Sequence, residues 1–167
     1  MNRPAAIPEK HGGAPGERLS VRVWLRLLSC TMAIEKEVQR GLAGAFGTTL
    51  PRFDILAALE RAPGGMTMGE LSRALLVSNG NVTGLVRGLA AEGMVEVAPL
   101  PSDRRATRVR LTPAGAARFA AMAAAHHDWI DALLGGLGEE ERRDLHARLG
   151  RLKHSLATAT GAAADGP

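Results

Sequence analysis

The segment from Ser78 to Leu89 (SNGNVTGLVRGL) combines side chains that read nucleic-acid bases with an unusual lack of bulk. Wound as a helix, it places Val82, Leu85, Val86 and Leu89 on one inner face. The opposite face is then Gly80, Thr83, Gly84, Arg87 and Gly88, flanked by Asn79 and Asn81, with no acidic residue before Glu92. Each glycine disfavours the helix by about 1 kcal/mol relative to alanine. A solvated surface gains nothing in return, whereas a helix lying against a duplex gains close approach. The major groove admits one helix, and Asn, Thr and Arg suit its base edges and thymine methyls. Ser78 is a natural N-cap, and amides at a helix start suit a phosphate. The plainer alternative is that the glycines reflect a chain holding 20 of them.

A second basic element follows. Ser102-Asp103-Arg104-Arg105 sets one acid beside two arginines between two short alternating segments, 94–98 and 107–112, and Arg108 and Arg110 extend the charge along the outer side of the return strand. An arginine at such a tip enters a narrow minor groove, drawn by its negative potential. Asp103 is placed to brace one of them by a charge-assisted pair; the competing reading is a solvated turn with a weak ion pair. Thr67, Ser72 and Arg73 are the further candidate phosphate contacts.

These surfaces need a scaffold. A first helix is expected from about Leu19 to Gly44, with the stripe Trp24, Leu27, Leu28, Thr31, Ile34, Val38 and Leu42. A second opens at Pro51, presents Phe53, Leu56 and Leu59, and stops at Pro63-Gly64-Gly65. Thr67 with Glu70 reads as a capping box for a short third helix, 68–75, with Leu71 and Leu75 inward. After the break 76–78 comes the glycine-lined helix, to about Glu92. Residues 99–106 are too polar and Pro-rich for core. Thr112-Pro113 starts a fifth helix striped by Phe119, Met122, His126, Trp129, Ile130, Leu133 and Leu137; a sixth, from about Glu139, carries Leu145, Leu149, Leu152 and Leu156.

The expected fold class is mainly α with a small β-hairpin wing: a winged helix-turn-helix lobe, 50–112, flanked by helical regions at 18–46 and 113–159. Residues 1–17 and 160–167 read as flexible tails.

With 167 residues, 46% hydrophobic and 23% charged, a packed core is expected, and a net charge of +4 fits a polyanionic partner. A single cysteine, Cys30, excludes a disulfide framework and a Cys-based zinc site. No run of about 18 apolar residues is present to span a membrane, and the amino terminus lacks a signal-peptide core, so a cytoplasmic protein without a membrane partner is expected. The absence of tyrosine argues against single-strand binding on stacking platforms.

Three stretches together resemble the multiple-antibiotic-resistance regulator (MarR) family: Asp103 to Gly115 (DRRATRVRLTPAG), similar to the family's wing signature D-x-R…L-T-x-x-G; Leu71-Ser72 and Asn81 to Gly93; and Leu50 to Leu56 (LPRFDIL). The resemblance covers about Leu19 to Leu156. It implies a ligand-responsive transcription regulator, not an enzyme: a homodimer, joined by the first, fifth and sixth helices as dimerisation regions 18–46 and 113–159, on a pseudo-palindromic operator in double-stranded DNA. The wing Arg105, with Arg104, would enter the minor groove, Asp103 bracing Arg105. Repression would be relieved by a small, anionic, often phenolic effector, an aromatic acid or its CoA thioester. Ala106 departs from the acid that many members carry after the second wing arginine, which weakens the expected bracing.

The candidate effector pocket is Trp24, Leu28, Phe53 and His126. Trp24 and Trp129 read as core ahead of ligand cage. Cys30 reads as buried packing, with first-helix redox sensing as the alternative; that use needs a lowered thiol pKa and hydroxyl partners. Adjacent His126 and His127 point about 100 degrees apart on a helix and do not share one ion, so neither a metal nor a cofactor is expected. No phosphate loop, nucleophile elbow or metal-ligand spacing supports an enzyme. A sequence-indifferent architectural DNA binder is the remaining alternative; it would lose discrimination between a specific site and bulk DNA.

Overall fold

The computed structural model describes residues 7, 18–100 and 103–159, with the side chains of 79, 100 and 103–106 outside that description. The expected tails 1–17 and 160–167 lie outside the described residues, Ile7 and the start at Arg18 aside.

Helix α1 (Leu19–Phe46) ends at Gly47, not at Gly44. Gly47 has φ +61° and its N–H donates to the Ala43 carbonyl, while Thr48 N–H reaches Leu42; this left-handed stop favours glycine. Only Leu25, Ser29, Val38 and Leu42 of α1 are buried. The expected stripe therefore holds in the second half and is displaced in the first. Trp24 is 59% exposed, against the core placement expected of it, and Leu28 is half-buried. Cys30 is likewise exposed, not packed. Ser29 occupies the buried slot because its hydroxyl donates to Leu25 O at 2.9 Å, so no polar group is stranded.

Helix α2 (Leu50–Glu60) follows at once. The Gln39 side chain of α1 accepts from Leu50 N–H at 2.8 Å, satisfying a free first-turn amide and joining the two helices. Phe53, Ile55, Leu56 and Leu59 are buried. Next come strand β1 (Met66–Thr67), helix α3 (Met68–Leu75), helix α4 (Asn79–Ala91), strands β2 (Val95–Leu100) and β3 (Asp103–Leu111), then α5 (Pro113–Leu133) and α6 (Glu139–Ala159).

The sheet order is β1-β3-β2, all antiparallel, with Met66 opposite Val109 and Val95 opposite Leu111. The two-residue β1 is too short to show an alternating pattern, and it makes β3 the central strand. Pairing also runs further than expected: Pro99 lies opposite Thr107, and the register shifts between Pro99 and Leu100. A proline survives there because β2 is an edge strand with no ladder donor to lose on its open side.

The core joins Val38 and Leu42 of α1 with Ile55, Leu56 and Leu59 of α2, and with Leu71, Val82, Val86, Leu89, Val95, Val109 and Met122. Removing Val38 or Leu42 side chains would therefore disturb the lobe as well as the helix that carries them.

The chain divides into two compact units, Met1–Trp129 and Ile130–Pro167. The first helix and most of α5 thus belong with the winged lobe. In the second unit α6 begins on Glu139-Glu140-Glu141, acids that suit the positive end of the helix dipole, and Gly138 N–H donates to Glu141 Oε2 at 2.7 Å. No residue of α6 is buried.

Candidate nucleic-acid interface

The interface is built from the α3–turn–α4 segment and the β2–β3 hairpin. α3 opens on a complete capping box: Thr67 Oγ1 accepts from Glu70 N–H at 3.2 Å, and Glu70 Oε2 accepts from Thr67 N–H at 2.7 Å and from its hydroxyl at 3.0 Å. These bonds, the backbone one foremost, hold the Glu70 carboxyl below its ordinary range. Thr67 is therefore committed to the cap, and its hydroxyl proton is not available to a phosphate as expected. Ser72 is also committed: its hydroxyl donates to the Val77 carbonyl across the turn. Arg73 is exposed at the end of α3, where a side chain can reach a phosphate.

The turn itself is closed by Leu76 N–H to Arg73 O and Val77 N–H to Ser72 O. Leu76 closes it with φ +55° while 93% exposed. A left-handed leucine costs roughly 1–2 kcal/mol, and this one recovers almost nothing by burial. Leu76→Gly is accordingly expected to raise stability by about 1 kcal/mol. Urea unfolding of the two proteins checks the sign; a loss would show that the leucine makes contacts worth more than the strain.

Ser78 stands at the N-cap of α4 in extended geometry, and its carbonyl accepts from Asn81 and Val82 N–H. Its hydroxyl makes no capping bond, contrary to expectation. The inner face is Val82, Val86 and Leu89, all buried, with Leu85 half-buried. A Cβ added at Gly80, Gly84 or Gly88 would meet nothing within 4 Å. Internal packing does not require these glycines, so they form an open backbone surface. Asn81 and Arg87 are exposed beside them and Thr83 is half-buried. The Asn79 side chain lies outside the described residues.

The far end of α4 is tied down. Arg52 of α2 pairs with Glu92, and this bond is the main reason that the Glu92 carboxyl sits below its ordinary range. Arg118 of α5 adds to that field; its guanidinium donates to Phe46 O at 2.6 Å and lies over the Phe46 ring.

In the hairpin, the side chains of Asp103, Arg104 and Arg105 lie outside the described residues, so their bracing stays an expectation. Arg108 and Arg110 do not serve as a free basic stripe. Arg110 Nε donates to Gly64 O at 3.0 Å and Arg108 Nη1 to Gly64 O and Gly65 O at 3.3 and 3.4 Å. They fasten the turn before β1. Gly65, at φ +79°, has no room for a side chain there: a Cβ would lie 2.5 Å from Val109 O.

The residues expected to hold an effector are only partly brought together. Phe53 stacks on His126, ring centroids 5.0 Å apart, and meets Phe119 at a tilt, 5.5 Å away. Trp24 is exposed and Leu28 half-buried. Trp129 is half-buried: it packs beneath Gly41, where a Cβ would lie 2.8 Å from its ring, and edges against Phe46.

Burial first, and His127 second, hold the His126 imidazole below its ordinary 6.5. The unfolded chain then binds the proton more readily. The stability contributed by neutral His126 is complete above pH 6.5 and falls away as pH drops through the lowered folded-state value. His126→Phe keeps a ring on Phe53 and is expected to shrink the loss of Tm between pH 7.5 and 5.5. An unchanged loss would assign it to other groups.

A cavity of about 500 Å³, missed by sequence reasoning, lies between α2 and α4. Pro51, Leu75, Val77 and Leu85 supply apolar walls, Asp54 and Asn81 the polar ones, and Gly80 and Gly84 their backbone. None of Trp24, Leu28, Phe53 or His126 lines it. Asp54 was legible only as one residue of the LPRFDIL stretch, because a cavity between two helices has no periodicity of its own.

Short α3, an αL turn, a second helix with an open outer face and a three-stranded antiparallel wing define a winged helix-turn-helix protein. Residues 46–106 match the profile of the MarR family. The MarR family transcriptional regulator from Silicibacter pomeroyi is 34% identical, with 82% of this chain and 94% of that one aligned at a TM-score of 0.71. This chain belongs to the MarR family, whose matched members are transcriptional regulators and not enzymes. The transcriptional activatory protein BadR of Rhodopseudomonas palustris is 36% identical over 58% of this chain, and the match spans 56% of BadR's length. The BpsR protein of Bordetella bronchiseptica, solved in a study of how 6-hydroxynicotinic acid regulates its DNA binding, shares the fold at a TM-score of 0.72 and 24% identity, over 83% of this chain and 98% of that one.

Proposed function

We propose that this chain is a ligand-responsive regulator that binds a pseudo-palindromic operator in double-stranded DNA as a homodimer. The observation that carries the reading is the α4 surface: a side chain added at Gly80, Gly84 or Gly88 would meet open space, and Asn81 and Arg87 stand exposed beside them. Asn81, Thr83 and Arg87, with Asn79, address base edges; Ser78 and Arg73 address phosphates; Arg104 and Arg105, with Asp103, work at the wing. No helix among the described residues is long and apolar enough to cross a membrane, in keeping with action in the cytoplasm.

Dimerisation uses apolar stripes on α6 and on the first part of α1. Leu145, Leu149, Leu152 and Leu156 of α6 are exposed at a 4-3-4 spacing, as are Leu19, Val23 and Trp24 on α1; apolar stripes of this kind are buried by a partner helix. The regulator represses and is released by a small aromatic effector. The regulation of BpsR by an aromatic acid supports that class.

The test is fluorescence anisotropy with promoter duplexes from beside the gene against scrambled duplexes, with sedimentation to give the stoichiometry. Two chains per duplex, and at least a hundredfold discrimination at fixed salt, are expected. A monomer, or equal affinity for all duplexes, would leave an architectural binder as the better reading.

A further inference from the structure

We propose that the cavity between α2 and α4 binds a protonated amine carried on an apolar, ring-sized body, and that this ligand competes directly with the duplex. A volume of about 500 Å³ lies in the range of small-molecule sites. Its walls are largely aliphatic, and Asp54 is the only charged side chain among the described residues that line it.

Asp54 is half-buried and makes no hydrogen bond or ion pair to a described residue. Burial first and Glu35 second hold its carboxyl above the ordinary range. Among the described residues no cation pairs with the Asp54 carboxyl, and the neighbouring charge that bears on it, Glu35, has the same sign. An ammonium beside Asp54 would relieve that cost through a charge-assisted hydrogen bond, with Asn81 able to accept or donate at the same wall. A carboxylate ligand would meet like charge in a partly desolvated site, which rejects it. The preference is thus opposite to that of the aromatic acids considered above, and the site is distinct from the Phe53–His126 stack.

The competition follows from shared residues. Gly80, Asn81 and Gly84 line the cavity and also belong to the open face of α4. A ring-sized body against their backbone occupies the space into which a groove would descend, so no conformational relay is needed. This half of the inference rests on the duplex reading; the amine site does not.

The experiment uses the ¹⁵N-labelled full chain titrated with 2-phenylethylamine and, separately, with 3-phenylpropanoate, a similar shape of opposite charge. The Gly80 and Gly84 amide signals are followed. Saturable shifts with the amine are expected, at least tenfold weaker in Asp54→Asn, with no saturation by the propanoate. Gly84→Leu fills the cavity without altering its charge and is expected to abolish the amine shifts. Equal amine affinity in Asp54→Asn, tighter binding of the propanoate, or shifts that bypass Gly80 and Gly84 would overturn the site. In the duplex arm, amine at ten times its own Kd should raise the apparent duplex Kd about tenfold. Saturation by amine with duplex affinity unchanged would overturn the competition and the duplex role of this face, and leave the amine site standing.

Discussion

Gly115→Ala is expected to lower the unfolding free energy by about 3 kcal/mol, the upper end for overpacking by one methyl group. A Cβ at Gly115 would stand 1.9 Å from the Met94 carbonyl oxygen and 2.8 Å from its carbon. That carbonyl has little freedom to yield, because it accepts from Thr112 N–H at 3.1 Å and shares the Thr112 hydroxyl proton, at 3.2 Å, with Gly93 O at 2.7 Å. The same hydroxyl accepts from Gly115 N–H at 2.9 Å, capping α5. One methyl group therefore pushes the start of α5 away from the base of the wing and loosens the cap with it. Gly84→Ala is the matched control: it enters open space and should gain about 1 kcal/mol through helix propensity. Urea unfolding of the full chain reads both. A Gly115→Ala protein as stable as its parent would mean that α5 is not seated on Met94.

The second large effect is on recognition. Arg87→Ala is expected to cost about 1–3 kcal/mol in binding a specific duplex while leaving the affinity for scrambled DNA nearly unchanged. Arg87 is exposed and makes no hydrogen bond or ion pair to a described residue, so its removal should not disturb the fold. Unaltered Tm with collapsed discrimination is the expected pair of results. Uniform weakening on every duplex, with a salt slope reduced by about one, would instead place the guanidinium on a phosphate. The glycines give a complementary sign: Gly84→Ala and Gly88→Ala stabilise the free protein and weaken the complex if the backbone must approach the groove. No purely structural role for them produces opposite changes in the two readouts.

The wing motif shows how far a residue pattern carries. Leu111-Thr112-Pro113-Ala114-Gly115 was readable as a helix start, because Thr caps and Pro at the first position are local devices. Its glycine was not explicable, because the carbonyl that forbids a side chain belongs to Met94, at the foot of the neighbouring strand. The same division runs through the site. The inner face of α4 followed from the spacing of Val82, Val86 and Leu89. The capping box at Thr67 followed from Glu70 three residues on. Thr67 and Ser72 looked like free hydroxyls until the cap and the turn used them, and Arg108 and Arg110 looked like free charge until Gly64 and Gly65 appeared beneath them.

Helix positions, the caps at Thr67 and Thr112 and the apolar faces of α2, α3 and α4 were written in the order of residues, since each depends on neighbours within a turn or two. Which half of the α1 stripe is covered, the extra strand β1, the anchoring of the wing arginines and the carboxylate-bearing cavity beside Asp54 were settled only when distant segments met. The reason is physical: local propensity acts over a few residues, whereas burial and charge compensation depend on partners tens of residues away, and no periodicity in one segment records what another will bring.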